Sequence, residues 1–200
     1  MQHRSLKPGQ EDRAFQAIVL GASAGGVEAL GTLLGALPAA FAPAVLTVLH
    51  LPGDRETILP AMLDRRCARP VKEAEDKEPV QAGTVYFAPP DYHLLVEPDG
   101  VLSLSREAPV HFSRPSIDLL FESAALAYRE RLLGIILTGA NSDGAQGLRQ
   151  VRECGGSAWV QDPGEATSPT MPAAALAVAG ADAVLTLAQM AVLLAKFEQT

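Results

Sequence analysis

At 200 residues, nearly half of them apolar and a fifth charged, the chain has the make-up of one globular domain with a sizeable core. A net charge of −7 excludes general nucleic-acid binding, which needs a basic face to neutralise phosphates. Two cysteines, Cys67 and Cys154, are too few and too far apart for a disulfide framework or a zinc site, and read as reduced packing residues. The stretch Met1 to Arg13 is polar and mixed in charge, without the apolar centre of a signal peptide. No segment is apolar for long enough to span a bilayer. The expectation is a cytoplasmic protein that does not insert into membranes.

In chain order, residues 1–14 read as a flexible tail and 15–200 as a single domain. A first strand is predicted from Gln16 to Leu20 and a first helix from Gly26 to Leu37, stopped by Pro38. Ala44 to Leu49 is apolar and β-branched enough to be a strand buried on both faces. It runs into the loop His50-Leu51-Pro52-Gly53-Asp54, followed by a helix from Glu56 to Arg66. Residues 70–83 are charged and bounded by proline, with short strands at best. Thr84 to Ala88 is a strand, and His93 to Glu97 with Val101 to Ser105 flanks Pro98-Asp99-Gly100 as a hairpin. Such a hairpin extends a sheet edge or walls a site.

Alternation then resumes. A helix is predicted from Ser116 to Arg129 with Ser116 as its N-cap, a strand from Leu133 to Leu137, and a helix from Ala145 to Glu153. A strand from Ser157 to Gln161, a helix from Pro172 to Ala179, a short strand from Ala183 to Leu185 and a closing helix complete the chain. Strands alternating with helices predict an α/β fold: a doubly wound, mostly parallel sheet flanked by helices, with an inserted antiparallel hairpin.

Gly21-Ala22-Ser23-Ala24-Gly25 fits the G-x-S-x-G turn that lifts a serine hydroxyl clear of a strand's end, with a helix N-terminus beside it. The same residues could cradle phosphate, since Gly21, Ser23 and Gly26 stand where a G-x-G-x-x-G fingerprint places its glycines. Ligands of an open parallel sheet bind outside the carboxyl ends of the strands. Three polar residues follow strand ends there: Ser23, His50 and Asp143. They supply a nucleophile, a base to take its proton and a carboxylate to fix the imidazole tautomer. Each has a blander reading. His50 could cap or pack beside Pro52, and Asp143 before Gly144 is ordinary turn chemistry. His93 reads as structural, and His111 is a weaker second candidate for the base. No His/Asp/Glu cluster has metal-ligand spacing, so no metal is assigned.

Taken together, the motifs resemble the catalytic domain of the chemotaxis receptor methylesterases, the CheB family. They are the serine loop at 21–26, Leu49-His50-Leu51-Pro52, and Ala82 to Pro90 with His93-Leu94. Arg114-Pro115-Ser116-Ile117-Asp118-Leu119-Leu120-Phe121, the loop from Leu137 through Ala145, and Gln161-Asp162 with Met171-Pro172 complete the set. The resemblance implies hydrolysis of glutamate γ-methyl esters on the cytoplasmic region of chemoreceptors, releasing methanol, with deamidation of receptor glutamines as a second activity. By position it makes Ser23 the nucleophile, His50 the base and Asp143 its partner, with no cofactor. A separate response regulator or chemosensory kinase is a further partner it suggests.

Three departures stand out: only a short tail where the family has a receiver domain, Ala24 in place of threonine, and Ala140-Asn141 in place of methionine-glycine. Ala24 and Ala140 leave open a docking module with weak or no turnover. A phosphate- or nucleotide-binding domain is less well supported, because His50 stands where an acidic ribose ligand would end the second strand. Arg55, Arg65, Arg66 and Arg69 around the second helix read either as a local basic contact or as a solvated helix face.

Overall fold

The computed structural model describes residues 15–50 and 59–197. The expected tail at 1–14, the loop after His50 and the first turn of the second helix lie outside them. Strands β1 (Ala17–Ala22), β2 (Ala44–Leu49), β3 (Val71–Glu73), β4 (Val85–Phe87), β7 (Leu132–Ile136), β8 (Ser157–Gln161) and β9 (Ala183–Leu185) form a seven-stranded sheet, ordered β3-β4-β2-β1-β7-β8-β9. Every pairing in it is parallel. Strands β5 (His93–Val96) and β6 (Leu102–Ser105) pair antiparallel in a sheet of their own. The hairpin therefore does not extend the main sheet. It packs its buried Leu94, Val96 and Leu102 into the same core as α3 (Ile117–Tyr128).

Two cores, one per face, follow from the period-two alternation of each strand. Ile18, Leu20 and Ala22 of β1 join one core with α1 (Gly26–Gly35), α2 (Leu59–Asp64) and α6 (Leu187–Leu194). Ala17 and Val19 point the other way, toward α3, α4 (Ala145–Glu153) and α5 (Thr170–Val178). In α1 the buried set Ala29, Leu30, Leu33 and Leu34 makes one apolar stripe. Each fully buried leucine in it contributes roughly 1.5–3 kcal/mol. Phe15, Phe41 and Trp159 each meet the ring of Phe197, with centroids 5.5, 6.5 and 6.0 Å away, which ties the last described turn back to the first strand.

The chain leaves β1 toward β2 on one side and later returns beside β1 as β7 on the other, so strand order reverses at β1. Neighbouring strands end in step there: Gly21 pairs with both Val48 and Ile136, and Ala22 with Leu49. The ladder continues past the strands, with His50 N donating to Ala22 O at 3.0 Å and Leu137 N to Gly21 O at 2.9 Å. Three loops are thereby stapled side by side at one edge. Gly21 is needed for that packing, because a Cβ there would stand 2.5 Å from Cγ2 of Ile117 at the start of α3.

A candidate serine hydrolase site

Ser23 leaves β1 half-buried, at the mouth of a cavity of about 630 Å³ lined also by Val27, Glu28, His50, Met62 and Arg66. Its backbone N–H donates to Thr138 O at 2.9 Å, and Gly26 N donates to Ser23 O at 2.7 Å. The bend between strand and helix falls at Gly25, whose φ of +80° is the left-handed region, while Ser23 is not among the residues with positive φ. The glycine, and not the serine, therefore carries the left-handed bend. Thr138 locks the loop: its Oγ1 donates to Ala24 O at 2.8 Å and accepts from Ser168 N at 2.8 Å. Thr138 N in turn donates to Oε1 of Gln161 at 2.8 Å.

His50 follows β2, and its Nε2 lies 3.0 Å from Oδ2 of Asp143, a side chain with no solvent exposure. The contact is close but off line, leaving Nε2 without a well-aligned hydrogen bond. Catalytic contacts commonly stay loose until substrate is bound. The other ring nitrogen, Nδ1, meets Nδ2 of Asn141 at 3.3 Å. Among the described residues, the Ser23 hydroxyl makes no hydrogen bond to His50.

The Asp143 carboxylate sits on the N-terminus of α3. Oδ2 accepts from Ile117 N at 2.7 Å, and Oδ1 accepts from Asp118 N at 3.0 Å and Ser116 Oγ at 3.1 Å. Burial works to raise its pKa, but His50 and the two amides outweigh burial and hold it below the ordinary value. The helix dipole adds to the same effect. Asp118 has the opposite fate. Burial pushes it up to about 6 against the Gly147 N–H, and the charge of Asp143 adds to the rise. His93 is fully buried and structural, as expected: Nδ1 accepts from Ser116 N at 3.1 Å and Nε2 donates to Ala108 O at 3.2 Å. It fixes the helix start that holds Asp143. His111, the alternative base, faces away to Asp118 Oδ2 at 3.7 Å and does not line the cavity with Ser23.

The expected basic cluster is reduced. Arg69 is tied to the backbone, with Nε donating to Gly83 O at 2.7 Å and Nη1 to Ala39 O at 2.6 Å. Arg55 lies outside the described residues, and of the remaining pair only Arg66 lines the cavity with Ser23. Among the described residues, no group of three or more His, Cys, Asp or Glu could hold a metal ion, and no helix is long and apolar enough to cross a membrane. Sequence reasoning missed Asn141 and the cradle at 116–118; the N-cap pattern at Ser116 was the signal for the latter.

A parallel sheet that gathers a serine, an imidazole and a buried carboxylate at its carboxyl edge has the layout of a serine hydrolase domain. The chain belongs to the CheB methylesterase family, whose pattern residues 18–194 match. Over 92% of its length it is 46% identical to a Leptospira interrogans protein, covering 96% of that protein, which carries provisionally the name protein-glutamate methylesterase/protein-glutamine glutaminase. A Rhodospirillum rubrum protein with the same two activities in its name is 36% identical over 94% of this chain, which spans only 49% of that relative. The crystal structure of the Thermotoga maritima CheB methylesterase catalytic domain superposes with a TM-score of 0.86 at 31% identity, over 91% of this chain and 98% of that one.

Proposed function

We propose that this chain is a cytoplasmic protein-glutamate methylesterase that removes γ-methyl esters from glutamates of chemoreceptors, with Ser23, His50 and Asp143 as its catalytic residues. The names of its relatives support the reaction, and add glutamine deamidation as a second activity. The observation that carries the reading is the contact of His50 Nε2 with the buried Asp143 carboxylate, on the loop next to Ser23. With Nε2 turned to Asp143, Nδ1 is the nitrogen left to take the serine proton. Ser23 Oγ attacks the ester carbonyl, its proton passes to Nδ1, and the protonated imidazole gives that proton to departing methoxide. Methanol leaves and a glutamyl ester of Ser23 remains. Water, deprotonated by the same nitrogen, then releases the free glutamate and restores Ser23. The N-terminus of α1 beside Ser23 favours the negative charge of each tetrahedral intermediate.

Residues 15–200 act as one catalytic domain in this reading. A second reading, a docking module with weak turnover, draws on the missing hydrogen bond between Ser23 and His50. Release of labelled methanol from methylated receptor membranes separates the two, comparing the wild type with Ser23→Ala. Release that vanishes in the variant supports the esterase. No release from a folded wild type favours docking.

A further inference from the structure

Both ring nitrogens of His50 face a partner: Nε2 lies off line against Asp143, and Nδ1 meets the side-chain amide of Asn141. Asn141 is held by its own loop: its Oδ1 accepts the backbone N–H of Asp143 at 3.2 Å. That bond fixes which end of the amide is which, and turns the NH₂ toward Nδ1 of His50 at 3.3 Å. An amide NH₂ can only donate, so Nδ1 must be the acceptor and the ring proton must sit on Nε2, facing Asp143. A neutral imidazole has one lone pair at Nδ1. It is the lone pair a serine proton would need, and Asn141 occupies it.

We infer that Asn141 is a latch on the catalytic base: it holds His50 in the reactive tautomer and caps Nδ1 until Ser23 and substrate displace it. The inference rests on reading His50 as the base. Asn141 acts through His50, so it is a positioning residue. Its removal frees the lone pair while Asp143 still orients the ring. Replacement by aspartate does the reverse, because a carboxylate at this place can only accept and draws a proton onto Nδ1.

The test uses the full chain with ¹⁵N-labelled histidine, as wild type, Asn141→Ala and Asn141→Asp, with His50→Gln to assign the ring signals. Two-bond ¹⁵N–¹H spectra are expected to show the Nε2–H tautomer in the wild type, the same tautomer with a displaced Nδ1 resonance in Asn141→Ala, and a protonated Nδ1 in Asn141→Asp. Labelling of Ser23 by a fluorophosphonate is expected to quicken about threefold to tenfold in Asn141→Ala, the factor one neutral hydrogen bond corresponds to. In Asn141→Asp it is expected to slow below the wild type. A wild-type ring with its proton on Nδ1 overturns the inference, as does an Asn141→Ala variant labelled no faster than wild type. So does slowing in both variants alike, which a packing role alone would give. Faster labelling in Asn141→Ala without any methanol release from receptors would keep the latch and reject the receptor as substrate.

Discussion

Asp143→Asn probes the carboxylate on which the site converges. In the wild type, Oδ2 faces Ile117 N at 2.7 Å and His50 Nε2 at 3.0 Å, while Oδ1 faces Asp118 N at 3.0 Å and the Ser116 hydroxyl at 3.1 Å. An amide has one oxygen and one NH₂, so one of two buried backbone donors must lose its acceptor. If the NH₂ turns to Asp118 N, the hydroxyl of Ser116 can rotate to accept but the backbone N–H cannot. If it turns to Ile117 N, it also faces Nε2 and forces the ring proton onto Nδ1. Either way a buried donor is orphaned, at about 1–3 kcal/mol. That is a large share of a domain's roughly 5–15 kcal/mol, yet leaves the variant folded. The lost charge, joined by the wrong tautomer where the NH₂ faces Nε2, is expected to lower kcat/KM roughly a hundredfold to ten-thousandfold, the upper end being the scale seen when the orienting aspartate of a serine triad becomes an amide. Methanol release gives the rate and urea unfolding the stability. A folded variant within tenfold of wild-type kcat/KM would refute the assignment of Asp143 as the partner of His50.

Asp118 has a pKa of about 6 in the folded chain against an ordinary 3.8, so folding favours its protonated form. Its stabilisation is complete below about pH 4 and is lost as pH rises through about 6. Asp118→Asn keeps an oxygen for the Gly147 N–H, and its advantage over wild type should grow from pH 4 to a plateau above pH 6 of at most about 3 kcal/mol. Urea unfolding at pH 4.5 and pH 8 reads this, and a difference that does not change with pH would contradict it. Thr138→Val keeps the shape of a buried side chain but strips the partner from Ala24 O and Ser168 N. A loss of about 2–4 kcal/mol is expected from the two unmade bonds, with a fall in kcat as the serine loop loosens. Unchanged stability would show that water replaces the hydroxyl.

Much of the fold was legible because burial leaves a periodic trace. The continuous apolar runs at 17–22, 44–49 and 132–136 are strands covered on both faces, and the alternation with helices implied parallel order. The β5–β6 hairpin was legible as a hairpin, but its place was not. Its apolar residues fit a sheet edge and the surface of α3 equally well, and only packing decided between them. The same applies to charge. Arg69 looked like part of a basic surface until two distant carbonyls, at residues 39 and 83, were seen to hold it.

That Ser23, His50 and Asp143 each follow an apolar run is written in the chain, because a polar group at a strand's end is a local property. Their approach to one another is not local. It depends on β1 lying between β2 and β7 with strand ends in register, and on α3 bringing three hydrogen-bond donors to the Asp143 carboxylate. The contact of Asn141 with His50 spans 91 positions. Such contacts come from the closing of the sheet, and a short-range pattern of apolar and polar residues carries no record of them. Which nitrogen of His50 faces the carboxylate and which faces the amide is set by that closing of the sheet.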